Sequence, residues 1–152
     1  MKKPISPKAR NLALLETAIA FAQSTGISRA MIVVRKPLPW EALSDLPTAP
    51  AVLLVHSTKL KNVPDLEKVD KLSVDLPDTS PMEWLEICLQ KALKEEKLNR
   101  GQQLLCVYPL SAPFDLSSMS IIQIKEKTEY VSLQKLDKLS ENEKLVLTLY
   151  YY

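Results

Sequence analysis

The sequence predicts an α/β domain, a three-layer α/β/α arrangement around a mostly parallel five-stranded sheet whose last strand is antiparallel, with a short helical C-terminal tail. Three observations predict it. The runs Ala30-Met31-Ile32-Val33-Val34, Ala51-Val52-Leu53-Leu54-Val55 and Leu104-Leu105-Cys106-Val107-Tyr108 are apolar at successive positions rather than alternate ones, as in strands covered on both faces. Two long segments with helical apolar spacing are interleaved with them, the pattern of strands joined by helical crossovers. The last two strands are linked only by residues 109–118, too short for a crossover helix, so they must be antiparallel.

Taken in order, residues 6–25 read as a helix. Ser6 is the N-cap candidate, Pro7 suits the first helical position and Gly26 suits the left-handed residue after the end. Leu12, Leu15, Ile19 and Ala22 make one stripe, and Leu14, Ala18 and Phe21 widen it for a sheet. The first buried strand is 30–34. A short helix is expected over 39–43 with Trp40 as an apolar anchor, and the second buried strand is 51–55. Residues 72–76 alternate, which suits a strand nearer the sheet edge. Ser80, Pro81 and Glu83 form a capping box with proline at the first position. The helix they open buries Leu85, Leu89, Ala92 and Leu93 and is expected to end at Gly101. Strands follow at 104–108 and 119–124. The α/β domain is assigned to residues 1–127 and the tail to 128–152. Within the tail, 132–139 reads as a short helix, and Ser140-Glu141-Asn142-Glu143 as a second capping box.

Composition excludes several classes of function. The chain has 152 residues, 46% hydrophobic and 25% charged, values of an ordinary globular domain. Twenty Lys and Arg against eighteen Asp and Glu give +2, too little for a dedicated nucleic-acid surface. Two glycines cannot build a GxGxxG or Walker loop, where backbone must approach phosphate closely. One histidine and two cysteines argue against a typical zinc site, and no metal or cofactor is expected. Cys88 and Cys106 stand alone in apolar surroundings and read as small buried hydrophobes of a reducing cytosol. Pro4, Pro7, Lys8, Arg10 and Glu16 interrupt any signal-like segment. No apolar run approaches bilayer length, so the expectation is a cytoplasmic protein without membrane contact.

A ligand of a doubly wound sheet sits beyond the carboxyl ends of the strands where their order reverses. Arg35 and Lys36 after the first strand, with Ser111, Asp115, Ser117 and Ser118 after the fourth, are therefore the ligand-binding candidates. His56 has no partner at a triad spacing and reads as a surface or capping residue. Asp75, Asp78, Glu83 and Glu86 answer the dipole at the start of a helix without needing an ion. The charged run 91–97 reads as a solvated helix face. Trp84, Cys88, Leu89 and Leu93 share helical spacing and read as core or as a subunit contact. No catalytic residue can be named, because no nucleophile and base stand in a recognisable arrangement. The apolar and aromatic tail makes Leu145, Leu147, Leu149 and Tyr150 the interface candidates.

The order of elements resembles the C-terminal domain of pyruvate kinase. "NLALLETAIAFAQSTGISRAMIVV" looks like that domain's opening helix and first strand, and "EWLEICLQKALKEEKLNRGQQLLCVYPL" like its later helix, turn and strand. That family usually reads Gly-Asp where Gly101-Gln102 stands here. A closer resemblance is to the accessory domain that precedes the cyclase domain in one branch of the diadenylate cyclases, related to the DNA-integrity-scanning protein. "ARNLALLETA", the Pro39-Trp40 pair and "SSMSIIQIKEKTEYVSLQKLDKL" carry it, over about residues 6–145. The resemblance implies a non-catalytic regulatory or oligomerisation domain serving cyclic di-AMP synthesis. Its partners would be a second copy of itself or a diadenylate cyclase catalytic domain. The cyclase motifs Asp-Gly-Ala and Arg-His-Arg are absent from the sequence, so the chain alone is not expected to be an enzyme. The alternative is a free-standing anion or phosphate sensor using Arg35, Lys36 and Ser118. Effector-binding pyruvate kinases supply small hydroxyl residues and glycines in that region. Here Arg35-Lys36-Pro37-Leu38-Pro39 and Ser111-Ala112-Pro113-Phe114 stand instead, and proline lacks the N–H donor a phosphate nest needs.

Overall fold

The computed structural model describes residues 7–78, 80–112 and 114–125. The first helix, α1 (Pro7–Thr25), leads into β1 (Arg29–Val34), the short α2 (Trp40–Ser44), β2 (Ala51–Ser57) and β3 (Val69–Val74). Then come α3 (Pro81–Lys94), β4 (Gln103–Pro109) and β5 (Leu116–Gln123). The five strands form one sheet in the order β3-β2-β1-β4-β5. Every neighbouring pair is parallel except β4 and β5.

Alternate strand residues go to opposite faces, and both faces are covered, which is why the strands read as unbroken apolar runs. Met31, Val33, Leu53, Val55, Leu104 and Cys106 pack against Trp84, Leu85, Cys88, Leu89 and Ala92 of α3. Ala30, Ile32, Val34, Val52, Leu54, Leu105 and Val107 pack against Leu15, Ala18, Ile19 and Ala22 of α1 and Leu43 of α2. One helix layer on each face gives the three-layer α/β/α fold that the sequence predicts. Each fully covered Leu, Ile or Val contributes about 1.5–3 kcal/mol through burial.

Local chemistry sets the helix ends. Gly26 takes φ +75°, and the Ile27 N–H donates to the Ala22 carbonyl, closing α1 with a left-handed cap. Ser80 is extended, its Oγ accepts from the Glu83 N–H at 3.5 Å, and Pro81 opens α3. Two boundaries differ from expectation. The second long helix stops at Lys94, and Glu96, not Gly101, takes the left-handed conformation (φ +59°). Gly101 (φ +87°) serves the turn into β4, where its N–H donates to the Ile124 carbonyl. The edge strand β3 lies at 69–74 rather than 72–76, with Leu76 buried just beyond it. The last strand begins at Leu116, so Ser117 and Ser118 belong to it. The N-cap candidate Ser6, the tail helix at 132–139, the capping box at 140–143 and the interface candidates Leu145, Leu147, Leu149 and Tyr150 lie outside the described residues.

Candidate functional site

Strand order reverses between β1 and β4, so the crevice for a ligand lies beyond their carboxyl ends. The chain fills that crevice with its own side chains. Arg35, the residue after β1, folds back between two rings. Its guanidinium carbon lies 4.5 Å from the Trp84 ring centroid and 4.7 Å from that of Phe114. The two rings meet edge to face, 5.7 Å apart. The guanidinium donates to the Pro77 carbonyl at 3.2 Å, the Leu76 carbonyl at 3.4 Å and Asp78 Oδ1 at 3.1 Å. Trp84 Nε1 donates to the same Pro77 carbonyl at 2.7 Å. The Arg35 side chain is 9% exposed, whereas that of Asp78 is 88% exposed. The cation is therefore held mainly by carbonyls and rings, and the carboxylate is the minor partner.

Lys36 turns the other way and pairs with Asp115. Asp115 is buried, and its Oδ1 meets the Lys36 ammonium as an ion pair without an aligned hydrogen bond. Between these two groups stands Phe114, whose φ of +65° is uncommon for a bulky side chain. It places the ring on Arg35 and the next residue on Lys36.

The remaining ligand-binding candidates serve the β4–β5 connection. The Ser111 carbonyl accepts from the Phe114 N–H at 2.8 Å. Ser117 Oγ accepts from the Leu110 N–H at 3.2 Å, and Ser118 faces Tyr108 in the ladder. The structure thus brings Arg35 and Lys36 to one place and engages both, while no hydrogen bond joins the three serines to either. Sequence reasoning named Arg35 and Lys36 but missed their holders Trp84, Phe114 and the carbonyls of Leu76 and Pro77. The only signals were an arginine directly after a buried strand and a tryptophan in the first turn of a helix. Asn11 was missed too. It is buried inside α1, and its Oδ1 accepts from the Leu116 N–H at 2.9 Å, tying the helix to the start of β5.

Other reactive groups are committed elsewhere. The His56 ring Nδ1 lies 3.1 Å from the Ser57 carbonyl, and Ser57 Oγ accepts from the Lys59 N–H at 3.2 Å, a local turn rather than a nucleophile with its base. Cys88 and Cys106 are buried free thiols. Burial pushes the Cys88 thiol up to about 12 and Cys106 higher still, which removes the thiolate a nucleophile or metal ligand requires. Lys91 is not a solvated member of its run, since its Nζ reaches the Ser73 carbonyl on β3. Among the described residues, no group of three or more His, Cys, Asp or Glu is placed to hold a metal ion. Among the same residues, no helix is long and apolar enough to cross a membrane. Compared with models of known protein families and with curated proteins, the chain matches none.

Proposed function

We propose that this chain is a non-catalytic accessory domain that assembles or regulates a partner, in the manner of the domain preceding the catalytic unit of the diadenylate cyclases it resembles. The observation that supports this reading is the filled crevice. At the place where a doubly wound sheet offers its ligand site, Arg35 is stacked between Trp84 and Phe114, and Lys36 is bound to Asp115. The fold is intact while its usual site is used as structure, which leaves surfaces rather than a pocket to carry the function. Such a domain would act by position. Two protomers would pack so that cyclase domains face each other across two ATP molecules, as the resemblance implies, in the cytoplasm and without nucleic acid or membrane.

The reading is tested by light scattering over a range of concentration, together with melting in the presence of inorganic phosphate and sugar phosphates. A concentration-dependent dimer whose melting temperature ignores these anions is expected. A strict monomer whose melting temperature rises with them overturns the reading in favour of an anion sensor built on Arg35, Lys36 and Ser118. Reading the native gene downstream of the Tyr152 codon tests the cyclase connection: an open frame containing Asp-Gly-Ala and Arg-His-Arg is expected, and a stop codon overturns a covalent connection.

A further inference from the structure

We propose that the outer edge of β5 pairs, antiparallel, with β5 of a second copy of this chain, joining two five-stranded sheets across a two-fold axis. The inference rests on the assembly reading above and names the surface that would carry it.

The two sheet edges are β3 and β5, and they are defended differently. A sheet edge offers unpaired N–H and C=O groups, and charged side chains are one means of blocking further pairing. β3 carries Asp70 and Lys71. Asp70 pairs with Arg29 at 3.1 Å, and Lys71 with Asp65 at 2.6 Å and with the Val63 carbonyl at 3.1 Å. β5 is longer, eight residues reading LSSMSIIQ, with no charge and no proline.

That neutrality favours one occupant. In a two-fold antiparallel pair a strand meets itself, so any charge on it would lie near its own copy. β5 has none, and its charge pattern is self-complementary in a way that of β3 is not. The backbone is oriented for the contact. The Ile124 N–H donates to the Gln102 carbonyl at 2.8 Å, and Leu104 faces Ile122, Cys106 faces Ser120 and Tyr108 faces Ser118. Because antiparallel pairs alternate between bonded and non-bonded, these even-numbered residues turn their amide groups toward β4. Met119, Ile121 and Gln123 turn theirs outward. Met119 is also one of two large exposed hydrophobic residues among the described residues, 39% exposed, and pairing would cover it.

The outward orientation supplies the test. Met119→Pro removes an outward N–H while leaving the β4 ladder intact, since proline is tolerated on the open side of an edge strand. Met119→Lys leaves the backbone intact and sets like charges near each other across the axis. Sedimentation equilibrium from roughly 1 to 100 µM, the range suited to a modest interface, should show the unaltered chain moving toward twice its monomer mass. Both variants should remain monomeric, with an unchanged far-ultraviolet dichroism spectrum. Amide exchange at Met119, Ile121 and Gln123 should accelerate on dilution. A dimer that persists in a folded Met119→Lys chain overturns the β5 pairing and leaves the assembly reading standing. An unaltered chain that stays monomeric overturns both, and exchange protection of those three amides in that monomer would show that another part of the chain covers the edge.

Discussion

The Arg35 guanidinium stacks on the Trp84 ring at 4.5 Å while both donate to the Pro77 carbonyl. One carbonyl and one stacking contact thereby fasten the end of β1 to the start of α3, and Phe114 closes the other side. Charge-assisted bonds to carbonyls and a desolvated cation–π contact each contribute on the order of 1–2 kcal/mol. The ion pair with the exposed Asp78 contributes little.

Truncating the two sides of that contact should therefore give unequal results. Arg35→Ala should cost about 3 kcal/mol, because it leaves two ring faces and the Leu76 carbonyl without their partner. Asp78→Asn should cost less than about 0.5 kcal/mol. Urea denaturation of both variants checks this. Equal losses would mean that the salt bridge, not the stack, holds the loop.

The pair beside it should also respond asymmetrically. Lys36→Met leaves Asp115 charged and buried and should destabilise by about 2 kcal/mol. Asp115→Asn leaves an ammonium whose side chain is already 33% exposed and able to turn to water, at less than about 1 kcal/mol. The comparison is again one of unfolding midpoints, and reversal of the order would show that Asp115 has another cation partner.

Asn11 should behave as a buried acceptor that cannot be replaced by shape alone. Asn11→Leu removes the only side-chain partner of the Leu116 N–H, and an unsatisfied buried donor costs about 1–3 kcal/mol. Asn11→Asp keeps an acceptor oxygen at the price of burying a carboxyl group. Its stability should fall further as pH rises from about 4 to 7 and the group must ionise. Urea unfolding of both variants across that range is the measurement.

The two thiols set a limit at alkaline pH. With its folded value raised from 9.0 to about 12, Cys88 has the same protonation in both states below pH 9 and contributes no pH dependence there. Above pH 9 the unfolded chain loses a proton that the folded chain keeps, so stability falls until the folded value is passed. At pH 10 the loss is about 1.4 kcal/mol for Cys88, with Cys106 acting in the same direction. Subtracting the pH 8 to 10 change of a Cys88→Ala, Cys106→Ala chain from that of the unaltered chain isolates this part. Neither thiol should react with an alkylating reagent at pH 8 while the chain is folded.

Much of the architecture was legible in the residues because it is written in local and periodic terms. The unbroken apolar runs at β1, β2 and β4 follow from burial on both faces. Ser80-Pro81 and Gly26 mark helix ends through single-residue backbone chemistry, and the short 109–118 link forces an antiparallel neighbour. Legibility ended where competing local signals had to be ranked. Gly101 was an attractive helix terminator, yet Glu96 took the left-handed position and the glycine went to the turn before β4. The start of β5 was missed because Leu116-Ser117-Ser118 has no strand signature of its own and is drawn into the sheet by Tyr108 and Pro109 opposite.

The sequence by itself determined the layers, the sheet composition and the location of the crevice, since periodicity, capping and loop length act over a few residues. Only the tertiary structure decided what occupies that crevice. Arg35, Trp84 and Phe114 are separated by 49 and 30 positions along the chain, and no local pattern encodes the meeting of a cation with two rings. The same holds for Asn11 against Leu116, a polar residue inside an apolar helix whose purpose appears only when the strand arrives. Contacts between distant residues are chosen by the packing of whole elements, so they become readable only after the sheet and its helices have been put together.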